Sequence, residues 1–565
     1  MQEYNTYFAL TIGPIYKTLA QAQRTREFWG SSYLFSWIMR EVILGMIAEK
    51  TITEDEILMP HRNRHNINLK VGTGLYHDRM IVQISSNKKD KVLDEFKTIA
   101  DTVLGKIATI TKIDLAVLQS YFRLNAVLFD LEDGENIVET VTNYLDSLEL
   151  QNPIFHEAWK IDWPSVIADL NGALFYSDAF SRGSDFDFVF DSIPEITTRG
   201  LRTPINKDQN KEEIESRYDY WVKEDITAKL IQEKKEKKRL KSKEVIKIQD
   251  TFIDDLSKDP LFKDAFRNYH KYIAIVHADG DNFGKTISNI GVLPEEVKNL
   301  SKLLFNFAKD AAKAITMYGG TNVYAGGDDL LFFAPVATVN NNGNQTIFDL
   351  INNLDDHFKT TVCDKLTKIA AADRPTLSWG VSISYYKFPL SEAIVSSRNL
   401  LFNEAKSYKG KNAVAFKLIK HTGQFFGATF GKEGRDYKFF TKLLKDKFNT
   451  ETDFISSLQY RISDNQTLLT EILRIADKVE RETRVANFFD NFFDEEIHSN
   501  KKDFIHSVRD MLTQAFTDSM LPGKELEKMK KEEKEESHKN SVKTAIDKTY
   551  SALRFIHFLN SKSDE

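Results

Sequence analysis

Apolar residues recur along this chain with two different rhythms. Tyr7-Phe8-Ala9-Leu10-Thr11-Ile12 is a short apolar run closed by Gly13-Pro14, which predicts a strand. A helical stretch follows, with an interruption expected at Gly30-Ser31-Ser32. Beyond it Leu34, Ile38, Val42 and Met46 recur at every fourth residue up to about Lys50, the spacing of a helix with one buried face. Arg79 to Ile84 reads as a further strand, and a helix is predicted from about Lys91 to Ile107. Residues 116–255 read as mostly helical with long loops. Within them Ser192-Ile193-Pro194-Glu195 has the form of a capping box with proline in the first turn.

The pattern sharpens after residue 256. Tyr272-Ile273-Ala274-Ile275-Val276 predicts a buried strand that exits at His277-Ala278-Asp279. A helix starts near Pro294, carries Leu300, Leu303, Leu304, Phe307, Ala311 and Ile315 on one face, and stops at Gly319. Thr321 to Tyr324 and Leu330 to Ala334 are two apolar runs joined by Ala325-Gly326-Gly327-Asp328-Asp329, a hairpin pattern. Leu377, Trp379, Val381, Ile383 and Tyr385 alternate with small residues, which predicts a strand. A helix from about Ser391 to Lys406 and a strand with Val414, Phe416 and Leu418 on one face complete this segment. From 425 on the chain reads as all-helical, because neither glycine nor proline falls between Gly434 and Pro522. Four units are expected: an α/β unit over 1–115, a helical connector over 116–255, a second α/β unit over 256–422, and a helical bundle over 423–565. The element order of the third unit suits a ferredoxin-like palm, a split βαβ with an inserted antiparallel strand.

Composition adds limits. A hydrophobic fraction of 41% over 565 residues suffices for several cores. The net charge of −6 excludes a generally basic nucleic-acid coat, so any RNA contact must be a local patch or belong to a partner. The single cysteine, Cys363, excludes a disulfide framework and a multi-cysteine zinc site, and reads as a core residue. No apolar run is long enough for a membrane span and no leader pattern opens the chain, so a cytoplasmic location is expected. The Lys/Glu-dense stretch 227–248 interleaves both signs of charge and reads as a solvated helix or linker.

The chemistry concentrates at two turns. Asp328 and Asp329 stand at a hairpin tip behind Gly326 and Gly327, which let backbone approach a phosphate. Asp279 leaves the preceding strand in Asp279-Gly280-Asp281-Asn282-Phe283-Gly284, whose small and polar residues leave backbone N–H groups free to cradle phosphates. Topology brings the two turns together. Carboxylates beside a phosphate cradle require cations between them, and hard oxygen ligands select Mg²⁺ or Mn²⁺, two ions in a nucleotidyl-transfer site. Asp279, Asp328 and Asp329 are the expected ligands. Lys406, at the exit of the last helix of this unit, is a candidate for neutralising outer phosphates, although lysine there also complements the helix dipole. Asp281 reads either as nucleotide-binding or as a cap. His77-Asp78 lacks the further ligands of a metal-dependent phosphohydrolase. His61 and His65 have metal-pair spacing but lie in a polar stretch without a third ligand.

These residues resemble a known family, the large palm-domain subunit of type III CRISPR effector complexes, most nearly the type III-B form. The resemblance rests on Thr11-Ile12-Gly13-Pro14, on Arg24 through Leu34, on the palm strand with Asp279 and Asp281, on Gly326-Gly327-Asp328-Asp329, and on Trp379-Gly380-Val381-Ser382 through Lys406. It implies that the first unit is a degenerate cyclase-like palm, so that the fold is α/β plus all-α with two ferredoxin-like domains, a helical connector and a C-terminal bundle. It implies other complex subunits, a guide CRISPR RNA and a target RNA as partners. It also implies ATP as donor and an adenylate second messenger as product. The His-Asp nuclease domain and the four-cysteine zinc site of many relatives are not expected here. The resemblance leaves two products open, a cyclic oligoadenylate or AMP joined to S-adenosylmethionine as co-substrate. A scaffold with an inactive palm and a diguanylate-cyclase-like enzyme are the competing readings. Such cyclases usually carry glutamate at one of the paired aspartates.

Overall fold

The computed structural model describes residues 4–22, 25–62, 73–150, 191–203, 210–236, 251–340, 343–446, 452–493, 501–521 and 528–562. His65, Arg24 and residues 237–248 of the charged stretch lie outside them. The earlier part of that stretch belongs to the helix Lys211–Glu236.

Two sheets organise the α/β part. The first contains β1 (Tyr4–Gly13), β2 (Ile57–Met59), β3 (Arg79–Ile84) and β4 (Arg123–Glu132) in the order β2-β3-β1-β4. β1 is central and pairs antiparallel with β3 on one side and β4 on the other. Phe8, Leu10 and Ile12 face the helices Thr25–Ala48 and Val92–Thr111, while Tyr7 and Ala9 face the helix Ile137–Leu150. Two expectations need correction here. The helix runs unbroken through Gly30-Ser31-Ser32, because both serines are buried in the fold and packing overrides their weak helix propensity. The edge strand β4 lies within the stretch read as mostly helical, so this sheet draws its fourth strand from beyond residue 115. The capping box at Ser192 is present as read, at the start of the short helix Ile193–Thr198.

The second sheet has six strands. β5 (Tyr272–Asp281), β6 (Thr321–Gly326), β7 (Asp329–Pro335), β10 (Thr376–Tyr385), β11 (Ala413–Ile419) and β12 (Phe425–Gly431) are arranged β12-β11-β10-β5-β7-β6. A small hairpin of β8 (Ala337–Asn340) and β9 (Gly343–Thr346) stands apart. β5 and β6 run the same way with β7 between them, the inserted antiparallel strand of the expected palm. The helix Pro294–Tyr318 crosses between β5 and β6. Proline opens it and Gly319, at φ 102°, ends it. β12 falls inside the segment read as all-helical. Its two glycines obscure the strand pattern, and Gly427 is required there because a Cβ would strike the Phe416 carbonyl on β11.

The remaining C-terminal helices pack on this sheet and share one continuous core with it. Phe348, Phe416, Phe440 and Phe555 meet with ring centroids 4.9 to 6.3 Å apart. Phe488, Phe489 and Phe493 are buried in that core. Cys363 is also buried there. Among the described residues no helix is long and apolar enough to cross a membrane.

Candidate active site

The register of three strands assembles the site. On β5 the residues Ala274, Val276 and Ala278 face the main core, and Ile273 and Ile275 face the opposite side, the side His277 and Asp279 share by alternation. β7 pairs with β5 up to Ala278–Leu330, so Asp279 and Asp329 stand one step past the last paired residues. β6 pairs with β7 at Gly326–Asp329, which leaves Gly327 and Asp328 as the two central residues of the hairpin turn. Gly327 has φ 76°, as a two-residue turn with glycine first requires. Asp279, Asp328 and Asp329 each offer a carboxylate oxygen within 4.8 Å of the others. Residues about fifty positions apart in sequence thus form one cluster.

Two glycines are fixed by this crowding. A Cβ on Gly280 would collide with Asp328 Oδ2 and the Phe283 ring, and one on Gly326 would collide with the Tyr324 hydroxyl. Gly284, by contrast, has open space around it. Asn282 takes φ 62° and turns the chain into the helix Phe283–Ile290, while the Phe283 ring packs on the core near Phe358.

The electrostatics follow from packing three acids at one spot. Burial pushes the Asp328 carboxyl up to about 6, with Asp281 adding to it and the N–H groups of Asp328 and Gly280 opposing. Asp329 is held well above the usual carboxylate range, first by burial and then by Asp328 and Asp78. Its side chain still touches solvent, because it stands on the floor of a water-accessible cleft walled by protein. Lys406 supplies the opposing charge: its ammonium ion-pairs with Asp279 and donates to the Gly280 carbonyl at 2.9 Å. The π-helical turn Leu400–Ala405 at the end of the helix Leu390–Asn399 delivers it there. Burial, with Lys411 adding, pushes Lys406 down to about 8, and the contact with Asp279 pulls the other way.

Asp281 does not join the three. It is fully buried, and its Oδ2 accepts from Thr376 Oγ1 at 3.0 Å, Ser378 Oγ at 2.7 Å and the Asn412 N–H at 2.9 Å. It therefore pins the end of β5 to β10 and to the entry of β11, a positioning role instead of ligand contact.

The cluster forms one end of a cleft of about 920 Å³ between the two sheets, which sequence spacing had no means to foresee. The side of the first sheet contributes Tyr16, Asp78, Asn125 and Glu149, and the side of the second contributes His277, Tyr324 and Arg398. Arg398 lies over the Tyr16 ring at 4.2 Å and the Phe402 ring at 5.5 Å. Asp78, discounted as half of a His-Asp pair, is thus a cleft residue whose carboxyl is raised by burial. Its neighbour His77 has its ring pushed down to about 4 by burial, with Arg79 adding, and its Nδ1 accepts from the Arg79 N–H at 3.3 Å. His61 packs against Phe305 at 5.5 Å.

The donor set fits divalent cations. Three carboxylates converge, and among the described residues Lys406 is the one cation in ion-pair contact with them. The raised carboxyls of Asp328 and Asp329 also set a direction in pH. The folded state binds protons more tightly there than the unfolded chain, so without metal this pair should cost stability increasingly as pH rises from the ordinary carboxylate range through about 6. Thermal unfolding in EDTA across that window should show the loss, a variant with Asp328→Asn and Asp329→Asn should show less of it, and Mn²⁺ should reverse it in the parent alone. Equal pH slopes in parent and variant would contradict the assignment.

Comparison with known proteins adds the following. A model of the N-terminal part of the CRISPR-associated protein Cmr2 matches residues 7–111, and a model of the second palm domain of Cas10/Cmr2 matches residues 272–415. The CRISPR system Cmr subunit Cmr2 of Pyrococcus furiosus is 25% identical over 317 residues, which is 50% of this chain and 33% of that protein, so the match spans a third of the relative's length. The type III-B Cmr-beta complex in its apo state contains a chain that superposes with a TM-score of 0.53 at 12% identity, covering 86% of this chain and 77% of that one. The same assembly bound to cognate target RNA gives a TM-score of 0.52 at 11% identity, covering 86% and 78%. At such identity the likeness is one of fold.

Proposed function

Because the chain belongs to the Cas10/Cmr2 family, we propose that it is the large subunit of a type III-B RNA-guided effector complex whose second palm makes an adenylate second messenger from ATP. Other complex subunits, a guide CRISPR RNA and a target RNA are its partners in this reading, and target pairing turns the palm on. The observation that carries it is the convergence of Asp279, Asp328 and Asp329 within 4.8 Å at the strand ends of a palm. These three would hold two Mg²⁺ or Mn²⁺ ions, which when bound supply charge neutralisation and lower the pKa of an acceptor hydroxyl. The chain's own groups do the rest. Gly280, Asn282 and the start of the helix Phe283–Ile290 present backbone to the triphosphate, with Gly284, Gly326 and Gly327 lending close approach. Lys406, released from Asp279 when cations arrive, is placed to neutralise the outer phosphates. The acceptor oxygen bonds to the α-phosphorus, the bond to the β-bridging oxygen breaks, pyrophosphate departs, and the hydroxyl proton passes to solvent.

Two products remain in this reading, each with its own support. Arg398 stacked on Tyr16 suits the base and phosphate of a second ATP, and thus a cyclic oligoadenylate. Asp78, an acid lining the cleft within electrostatic reach of Asp329, suits a cationic acceptor, and thus S-adenosylmethionine joined to AMP. Incubating the target-activated complex with labelled ATP, with and without S-adenosylmethionine, separates them by product mass. A product that forms only with the methionine compound excludes cyclisation as the main route, and no adenylate product under either condition defeats the enzymatic reading.

A further inference from the structure

The second sheet has another end, and it carries chemistry that nucleotidyl transfer does not use. β5 enters at Tyr272, about 23 Å from Asp279 at roughly 3.3 Å per strand residue. There the turn after β11, residues 420–424, meets the C-terminal helix Lys531–Asn560, whose end is tied in by the Asn268 N–H donating to the Ser561 carbonyl at 3.0 Å. A cavity of about 570 Å³ opens between them, lined by Lys420, Gln424, Phe425, Gln459, Tyr550 and Arg554 among others.

No aspartate or glutamate is among the residues that line it. Lys420 and Arg554 are close enough that Arg554, after burial itself, pushes the lysine ammonium down. Among the described residues neither has a carboxylate partner. Two cations held together in partly desolvated surroundings repel, and a bound anion relieves that cost. The aromatic groups point the same way. The Arg554 guanidinium lies over Phe426 at 4.5 Å and Tyr550 at 5.7 Å, which fixes its plane at the cavity. Phe425 at the rim is 62% exposed, with Lys417 over its ring at 4.0 Å. The Gln459 amide donates to the Leu553 carbonyl at 3.0 Å, which leaves its side-chain oxygen as an acceptor beside the cavity. A pair of uncompensated cations next to an exposed aromatic face and amide groups is a recognition set for a phosphate joined to a base.

We propose that this cavity is a second, non-catalytic nucleotide site that takes the phosphate and base of a ribonucleotide, either free or within a single RNA strand. The phosphate sits between Lys420 and Arg554, and the base stacks on Phe425. The inference does not depend on which product the palm makes.

The test uses the full chain carrying Asp328→Asn and Asp329→Asn, in EDTA, so that metal-dependent binding in the cleft is removed. Labelled single-stranded RNA of about eight nucleotides is followed by anisotropy and AMP by calorimetry, at two salt concentrations. Binding of RNA alone identifies a strand as the ligand, and binding of both identifies the single nucleotide. Lys420→Glu with Arg554→Glu should weaken binding about tenfold or more and reduce the salt dependence by about one phosphate contact. Phe425→Ala, at an exposed position outside the core, should weaken binding and leave the salt dependence unchanged. The proposal is overturned if neither probe binds. It is equally overturned if Phe425→Ala and a milder Lys420→Gln, Arg554→Gln variant, each with the parent's unfolding transition, both bind as the parent does.

Discussion

Replacing Asp328 and Asp329 together by alanine is expected to reduce adenylate synthesis by about a thousandfold or more, the scale on which a metal-dependent phosphoryl transfer fails without its ligands. Asp279 alone cannot hold two cations, and its carboxylate would then be left paired with Lys406. The variant should also unfold at higher temperature than the parent in EDTA, because two mutually repelling acids raised by burial are gone. Gain of metal-free stability with loss of activity is a combination that simple misfolding does not produce. Product formation by the target-activated complex, calorimetric Mn²⁺ binding and thermal unfolding read the three parts. Complex assembly and target RNA binding should be retained, since the hairpin tip anchors none of the cores. Undiminished synthesis in this variant would leave the scaffold reading in place.

Much of this site is written in local sequence, and the reason is geometric. A hairpin turn puts Asp328 and Asp329 side by side whatever surrounds them, and a helical crossover brings Asp279 to the same end of the sheet. What spacing could not reveal depends on side-chain direction or on distant partners. Asp281 lies two positions from Asp279 in the same acidic turn, yet it turns into the interior to meet Ser378 and Asn412. Asp78 and Tyr16 reach the cleft because one sheet packs beside another. β4 and β12 were hidden for a related reason. Both are edge strands: β4 pairs with β1 more than a hundred residues earlier, and the two glycines of β12 obscure its alternation although its partner β11 lies just across a short turn. At Gly30-Ser31-Ser32 the failure ran the other way, with a local break signal overruled by burial.

Lys548→Ala is expected to destabilise the junction between palm and bundle by about 3–5 kcal/mol, the usual cost of leaving one member of a buried ion pair alone. Lys548, on the C-terminal helix, pairs with Asp436 at 2.8 Å, and both side chains are almost wholly shielded from solvent. Burial already holds the Asp436 carboxyl above its ordinary range in spite of the lysine, and Asp518 adds to that. Without Lys548 it must be buried charged or take up a proton. The deficit should therefore be largest near neutral pH and shrink as pH falls through the folded-state value, where the lone carboxyl takes up its proton. The lysine also lies over the Tyr408 and Phe430 rings, at 5.4 and 5.2 Å, and Tyr408 belongs to the loop that carries Lys406 and Asn412. Hydrogen exchange should then rise in residues 405–412 as well as in the helix Arg435–Asp446, and synthesis should fall although no metal ligand has changed. Substituting both partners, Lys548→Met with Asp436→Asn, should recover most of the stability, because no unpaired charge remains. If the single variant matched the parent in exchange and activity, the buried pair would not be what couples the bundle to the Lys406 loop.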